Sequence, residues 1–184
     1  MDKKKVFLII GRSCSGKTAI AKGICKKLNL QQVKSYTTRP MRVNETPEES
    51  DHIFIRKDEI DQYSNGIAAW TSINGYEYFT TKKILDDCDI YVVDPRGLED
   101  LKRRCSDLYE FVTIYIRVPM SVGKRRAEQR GEGLEAYFKR HKRENEQFSK
   151  YERKAEWDYY ILNIRTLEDT ITRGVAIITR ELKK

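Results

Sequence analysis

The sequence has little of what marks membrane proteins, secreted proteins and zinc proteins. No apolar run approaches the roughly 20 residues that a membrane-spanning helix needs. The first ten residues, MDKKKVFLII, have a basic start but too short an apolar stretch for a signal peptide, so we expect a cytoplasmic protein without a membrane partner. The four cysteines form no CxxC pair and there are only two histidines, which argues against a zinc site and for free thiols in a reducing compartment.

Acidic residues are outnumbered, and the formal net charge of the 184-residue chain is +8. A nucleic-acid binder or an enzyme with strongly negative substrates could carry such an excess. Much of it lies in the segments GKRRAEQRGEG and YFKRHKRENEQ, where glutamates are interleaved with the basic residues. This pattern is typical of a charged helical pair rather than of a uniform basic face, so we expect no nucleic-acid partner.

Buried strands alternate with helices along a chain that has the length of one domain. The predicted strands are Val6–Ile10, Ile90–Val93, Phe111–Val118 and Tyr159–Asn163. One helix is predicted to begin near Lys17. Three more are predicted at Leu98–Leu108, Ser121 to about Tyr151, and Thr166–Leu182. The alternation predicts a parallel α/β sheet. Residues 34–82 interrupt it with prolines, short alternating apolar pieces and the turn signals SNG and ING, which predict a small β-rich insertion.

A phosphate-binding loop is predicted between the first strand and the first helix. The match to GxxxxGK[ST] consists of Gly11, Arg12, Ser13, Cys14, Ser15, Gly16, Lys17 and Thr18. Glycines let successive N–H groups point inward at phosphate oxygens, and the helix start adds a partial positive charge. Lys17 is expected to reach the β- and γ-phosphates, and Thr18 to offer its hydroxyl to Mg²⁺. Cys14 is interpreted as a small side chain that fills the loop, with an oxidation-sensitive thiol as the alternative.

Asp94 ends the apolar segment IYVVD, a position from which a carboxylate can order the water shell of Mg²⁺. The alternative is a turn former, because Asp94 precedes Pro95. Arg39 and Arg42 lie three apart in SYTTRPMRVNE, and paired guanidinium groups suit a phosphate dianion. On composition alone, a solvated basic loop is the favoured interpretation of this segment.

Taken together and in order, several segments resemble guanylate kinases. They are GRSCSGKT, SYTTRPMRVNE, DHIFI, GYEYFTT, VVDPRG, RRAEQRG and DYYILN, and they extend from Val6 to Asn163. The resemblance implies a P-loop NTPase fold within a single domain, residues 1–184, with a parallel five-stranded core sheet flanked by helices. The implied parts are a core (1–33, 83–120 and 156–184), an acceptor-binding insertion (34–82) and a helical lid (about 121–155).

The resemblance also implies roles for individual residues. Those expected to bind the acceptor, by phosphate or base, are Ser35, Arg39, Arg42, Glu45, His52, Tyr78 and Thr80. Glu45 is expected to orient the arginines, and Asn163 to contact the adenine of ATP. The groups expected to carry catalysis are Lys17, Arg39 and the lid arginines Arg126, Arg130 and Arg140. Thr18 and Asp94 would hold Mg²⁺, partly through water.

Four positions depart from the family pattern. His52 replaces a tyrosine, and its ordinary pKa predicts acceptor affinity that changes between about pH 6 and 7.5. Ala69 replaces a glutamate that accepts from guanine, Val92 replaces a second acidic residue, and Phe79 replaces a glycine. A site that lacks a buried hydrogen-bond partner discriminates less, although Glu77 or Thr71 could substitute.

The implied activity is ATP-dependent phosphorylation of a nucleoside monophosphate, by default GMP or dGMP. A kinase with another acceptor stays open, namely another or modified nucleotide or a phosphorylated sugar. A catalytically inactive module that binds proteins is the third interpretation. The sequence does not indicate the oligomeric state.

Overall fold

The computed structural model describes residues 3–43 and 45–184. The strands in chain order are β1 (Lys4–Ile10), β2 (Ser35–Thr37), β3 (His52–Phe54), β4 (Ile67–Ile73), β5 (Tyr76–Thr81), β6 (Ile90–Val92), β7 (Tyr109–Arg117) and β8 (Tyr159–Leu162). The helices are α1 (Lys17–Leu28), α2 (Lys82–Asp87), α3 (Pro95–Cys105), α4 (Met120–Gln129), α5 (Leu134–Lys154) and α6 (Leu167–Glu181). A 3₁₀ helix covers Lys57–Gly66.

A parallel sheet in the order β6-β1-β7-β8 forms the centre of the fold and confirms the predicted α/β class. Residues Val6–Ile10 are buried because helices cover both faces of the sheet. Phe7 and Ile9 pack with apolar side chains of α1 and α6, whereas Leu8 and Ile10 pack with those of α3 and α5. Among the described helices, none combines the length and the apolar character that crossing a membrane requires.

The expected count of five core strands is wrong, because the core sheet has four. The segment after α1 approaches β6 but makes a single isolated bridge, between Gln32 and Ile90. The Val33 N–H donates to the Ile90 carbonyl at 2.8 Å. At Ser35 the chain already joins another sheet, so too few residues pair with β6 to form a fifth strand.

A second sheet has the order β3-β2-β5-β4 and lies within residues 35–81. Strand β2 pairs in parallel with β3 and antiparallel with β5. Asn74 and Gly75 turn the β4–β5 hairpin with φ angles of 55° and 80°, as the ING signal predicts. The 3₁₀ helix was not predicted, because it buries only Ile60 and therefore shows no helical apolar period.

Helices α4 and α5 replace the continuous helical segment expected from Ser121 to Tyr151. The break lies at residues 130–133, where Gly131 has a φ angle of 72°. Glycine adopts this left-handed conformation without steric cost, so it ends one helix and lets the next one set off in a new direction. The longer helix, α5, thereby crosses over the loop that follows β1, which it contacts through the side chains described below.

Candidate nucleotide-binding site

The phosphate loop runs from Gly11 to Gly16 between β1 and α1, and two of its positions need glycine. A Cβ on Gly11 would lie 2.3 Å from the Ile116 carbonyl oxygen, so β7 leaves no room for a side chain. Gly16 has a φ angle of 90°, in the left-handed region. Cys14 also has a positive φ, 61°, and its buried side chain packs against Ala127 of α4 and Tyr137 of α5.

Lys17 spans the loop, with its Nζ donating to the Arg12 carbonyl at 2.9 Å. Burial lowers the pKa of Lys17 to about 8, and the nearby carboxylates of Glu144 and Asp94 partly oppose that effect. The amine is therefore mostly protonated at pH 7. A desolvated cation that makes one hydrogen bond to a carbonyl is suited to receive a phosphate oxygen.

Asn163 and Arg126 support the phosphate loop from its outer side. The Asn163 side-chain amide donates to the Ser15 carbonyl at 2.8 Å, and its oxygen accepts from the Thr170 hydroxyl at 2.9 Å. Arg126 donates to the carbonyls of Cys14 and Ser15, both at 3.3 Å. Asn163 is 1% exposed, so its amide is fully engaged in shaping the loop. The contact with adenine stays a prediction.

The other arginines around the loop have carboxylate partners or face solvent. Arg12 forms a two-pronged ion pair with Glu152, at 2.9 and 3.0 Å. Arg140 pairs with Glu132 and lies 3.5 Å from the Cys14 sulfur. Arg130 is exposed at the end of α4. Arg126 and Arg140 therefore contact the loop, whereas Arg130 faces solvent.

Thr18 and Asp94 provide the oxygen ligands that Mg²⁺ prefers. Asp94 is the N-cap of α3, with one carboxylate oxygen accepting from the Gly97 N–H at 2.7 Å. Burial raises the pKa of Asp94. Because β6 pairs in parallel with β1, Asp94 and the phosphate loop follow the carboxyl ends of neighbouring strands. In residues 3–43 and 45–184 no three His, Cys, Asp or Glu side chains cluster as a metal site. A hydroxyl and one carboxylate fit Mg²⁺ that takes its remaining ligands from phosphates and water.

Arg39 is held by Glu45 in a fixed orientation at the edge of the second sheet. Its two terminal nitrogens each donate to a Glu45 oxygen at 2.6 Å, and its guanidinium lies over the Phe54 ring at 5.0 Å. The Ser50 hydroxyl also donates to Glu45, at 2.7 Å. Arg39 is the largest cause that lowers the pKa of Glu45 far below its usual value. Arg42 is exposed and is hydrogen-bonded to Glu45 through its backbone, by its N–H at 3.2 Å and its carbonyl at 3.1 Å.

Ser35, His52 and Tyr78 lie together near this arginine. The Ser35 hydroxyl and the His52 Nδ1 are hydrogen-bonded at 2.9 Å, and the rings of His52 and Tyr78 meet edge to face at 5.4 Å. The pKa of Arg39 is raised mainly by Glu45 and to a smaller extent by Tyr78. Three residues predicted from sequence to bind the acceptor are thus neighbours of Arg39.

The pKa of His52 is lowered by burial and by the Arg39 cation, which moves its charge change to a lower pH than the ordinary value of 6.5. We expect acceptor kcat/KM of the wild type, divided by that of His52→Gln, to rise as pH falls below 6.5, because the imidazolium attracts phosphate. The ratio is needed because the acceptor phosphate itself takes up a proton near about pH 6. A ratio that is constant between about pH 5.5 and 7.5 would remove His52 from the site.

The face of the second sheet that carries Tyr78 also carries Thr80 and Ala69, which are paired across β4 and β5. Ala69 is 2% exposed and offers no acceptor. The Thr80 Oγ1 is buried without a hydrogen-bond partner, so it is free to bind a ligand atom. Unpaired buried hydroxyls are uncommon in proteins.

The other departures lie away from this face. Phe79 alternates with Tyr78 and Thr80, so its ring points to the opposite side and stacks on Tyr36 at 5.0 Å and Trp70 at 5.3 Å. Glu77 shares that opposite side, where it accepts from the Trp70 indole, and therefore does not substitute for the missing carboxylate. Val92 packs in the core cluster of α1 and α6.

Two carboxylates of α5 were missed in the sequence although both contact the phosphate loop. Glu144 accepts from Ser13, and Glu152 from Arg12 and from the Tyr115 hydroxyl. Their spacing of eight places them on one face of a helix. The sequence could show that shared face, but not that it packs onto the loop.

Comparison with known proteins supports a nucleotide site. The chain is 30% identical to the guanylate kinase of Thermotoga maritima over 99% of this chain and 89% of that relative. A crystal structure of guanylate kinase from Anaplasma phagocytophilum matches with a TM-score of 0.71 at 24% identity, covering 100% of this chain and 89% of that one. A sugar kinase from Janibacter sp. matches with a TM-score of 0.52 at 13% identity, covering 97% and 95%, and both structures bear on the fold alone. No protein-family model matches the chain.

Proposed function

Because the chain belongs to the guanylate kinase family and is a nucleoside monophosphate kinase, we propose that it transfers the γ-phosphoryl group of ATP to GMP or dGMP. The products are ADP and GDP or dGDP. The observation that carries the proposal is the pairing of a complete phosphate loop with Arg39, an arginine held ready by Glu45. A loop alone would fit a switch or a motor, whereas a second built phosphate site fits a transferase.

Helix α3 supports the view that the two sites adjoin. Asp94, its N-cap, follows β6, the strand that pairs with β1 and so ends beside the phosphate loop. Further along α3, the Asp100 carboxylate accepts from the Trp70 N–H of β4 in the second sheet at 3.1 Å. Residues 34–82 would then form the acceptor-binding part, and residues from about 121 to 155 the lid that closes over the donor.

Catalysis in this site is positioning and electrostatic stabilisation, because phosphoryl transfer needs no covalent intermediate on the protein. The loop N–H groups and Lys17 bind the donor's terminal phosphates. Arg39, Arg42 and Tyr78 hold the acceptor phosphate, with the Arg39 guanidinium fixed in plane. Arg126, Arg130 and Arg140 balance the negative charge of the transferred group, and lid closure excludes water. Mg²⁺, when bound beside Thr18 and Asp94, neutralises phosphate charge.

A coupled assay of ADP release against a panel of nucleoside monophosphates tests this function. We expect ADP release that requires a monophosphate, with GMP or dGMP giving the highest kcat/KM. Release confined to a non-guanine acceptor would contradict the guanine assignment. No release with any acceptor, although ATP binds, would favour a module that binds partners.

A different acceptor is the second candidate, and Ala69 is the observation that favours it. Guanine presents two adjacent N–H donor groups, and a pocket without a facing carboxylate leaves them unpaired, which weakens discrimination steeply. Thr80 and Ser35 offer hydroxyl groups, which donate or accept and therefore suit several bases.

We expect Ala69→Glu to raise kcat/KM for GMP about tenfold, since it restores a charged acceptor for those two donors. The panel assay measures the effect, and Ala68→Glu is the matched control because Ala68 is also buried on β4. Thermal unfolding of both variants shows whether the buried carboxylate is tolerated. An unchanged preference in a folded Ala69→Glu protein would count against this account of the pocket.

A further inference from the structure

A carboxylate of α5 lies at the mouth of the phosphate loop. The Ser13 N–H is shared between the two oxygens of Glu144, at 3.1 and 3.3 Å, and the Ser13 hydroxyl donates to Glu144 as well. Ser13 is the second of the four variable loop residues, and its N–H belongs to the set that would face a phosphate. Glu144 is half-buried in this position.

We propose that Glu144 is an internal competitor of the donor's phosphates, which must displace this carboxylate before the loop can bind them. A carboxylate and a phosphate use the same kind of donor, an N–H group with a hydroxyl beside it. Both are anions, so they cannot share this small site without strong repulsion. The inference rests on the proposed use of the loop for a nucleotide donor.

The surroundings of Glu144 fit a lid, residues from about 121 to 155, that carboxylates of α5 hold against the phosphate loop while the donor is not bound. Glu152, two turns further along α5, pairs with Arg12 of the loop. Arg140, one turn before Glu144, is paired with Glu132 while it lies 3.5 Å from the Cys14 sulfur of the loop. Displacement of Glu144 would release the part of α5 that carries Arg140, which couples donor binding to the position of a lid arginine.

Direct measurement of affinity separates this role from catalysis. Isothermal titration with MgATP, inorganic triphosphate and adenosine is carried out on the wild type, Glu144→Ala, Glu144→Gln and Glu146→Gln. Glu146 is an exposed glutamate on the same helix and is the matched control. Thermal unfolding without ligand identifies any variant that fails to fold, and Glu144→Gln serves if Glu144→Ala does.

We expect Glu144→Ala to bind MgATP and triphosphate about tenfold more tightly than the wild type, the factor that one charge-assisted hydrogen bond sets. Glu144→Gln should fall between the two, since its amide oxygen still accepts from Ser13. The affinity for adenosine should stay within about twofold of the wild-type value in every variant, because adenosine has no phosphate to compete with Glu144. Glu146→Gln should bind all three ligands with affinities within about twofold of the wild type.

Equal or weaker triphosphate binding by Glu144→Ala would overturn the proposal, and so would a gain that is as large for adenosine. If neither the wild type nor Glu144→Ala binds triphosphate, the proposal is overturned too, since removal of the carboxylate would then not make the loop available to phosphate. If the wild type binds MgATP and phosphorylates no monophosphate, the proposed function fails, while the affinities still decide the role of Glu144.

Discussion

Replacement of Lys17 by alanine is expected to lower kcat about 10³-fold and to leave the protein folded. Loss of a single preorganised charge donor in a buried site costs this order of magnitude. The amine binds one carbonyl, that of Arg12, and its lowered pKa of about 8 shows that folding disfavours the buried charge. Removal of the charge should therefore keep or raise the unfolding temperature.

Steady-state assays and thermal unfolding check this prediction. Lys26→Ala is the control, because Lys26 is an exposed lysine on the same helix and its removal should leave kcat unchanged. For the wild type, kcat/KM for ATP should fall as pH rises above about 8, where the free Lys17 loses its proton. An active Lys17→Ala protein would show that the loop does not act as proposed.

The second large effect is expected for Arg39→Ala, which should lower acceptor kcat/KM about 10²-fold or more and also destabilise the fold. Arg39 is 8% exposed, and its removal leaves Glu45 as an unpaired charge whose side chain is 16% exposed. Breaking a buried ion pair by removal of one partner costs about 3 kcal/mol. Arg42→Ala should reduce acceptor binding with little change in stability, because Arg42 is exposed and its backbone makes the contact with Glu45.

The loss of stability in Arg39→Ala should depend on pH in a definite direction. Glu45 has a lowered pKa in the folded protein, so its ion pair stabilises the fold above the usual pKa of 4.5 and stops doing so as the carboxylate is protonated in acid. Urea unfolding should show the full difference between wild type and Arg39→Ala at pH 7 and a smaller one below about pH 4. A difference that is the same at both pH values would contradict the ion pair as its source.

The sequence was informative where one local pattern determines the structure. The run Val6–Ile10 followed by glycines and Lys17 predicts strand, loop and helix, and the structure has them in that order. Arg39 and Glu45 lie six residues apart in one loop, so their pairing also follows from a short segment. The α/β class follows from the alternation of such segments.

The sequence was uninformative where distant segments meet. Whether residues after α1 form a fifth strand depends on where the chain leaves β6, and no local pattern records that the pairing stops at Gln32. The contact of Glu144 with Ser13 joins residues 131 positions apart, across a helix whose charged surface looks solvated in the sequence. Phe79 is an intermediate case, because alternation along β5 does predict that its ring faces away from Tyr78 and Thr80.

One measurement tests the central claim, that the phosphate loop and the Arg39 site are two halves of one transferase site. ATP labelled at its γ-phosphate is incubated with the protein, Mg²⁺ and GMP, and the labelled products are separated. The account predicts that label appears in GDP at the rate of ADP release, and that Lys17→Ala and Arg39→Ala each lose this transfer. Label found only in inorganic phosphate, or none transferred to any monophosphate by a wild type that binds ATP, would contradict it.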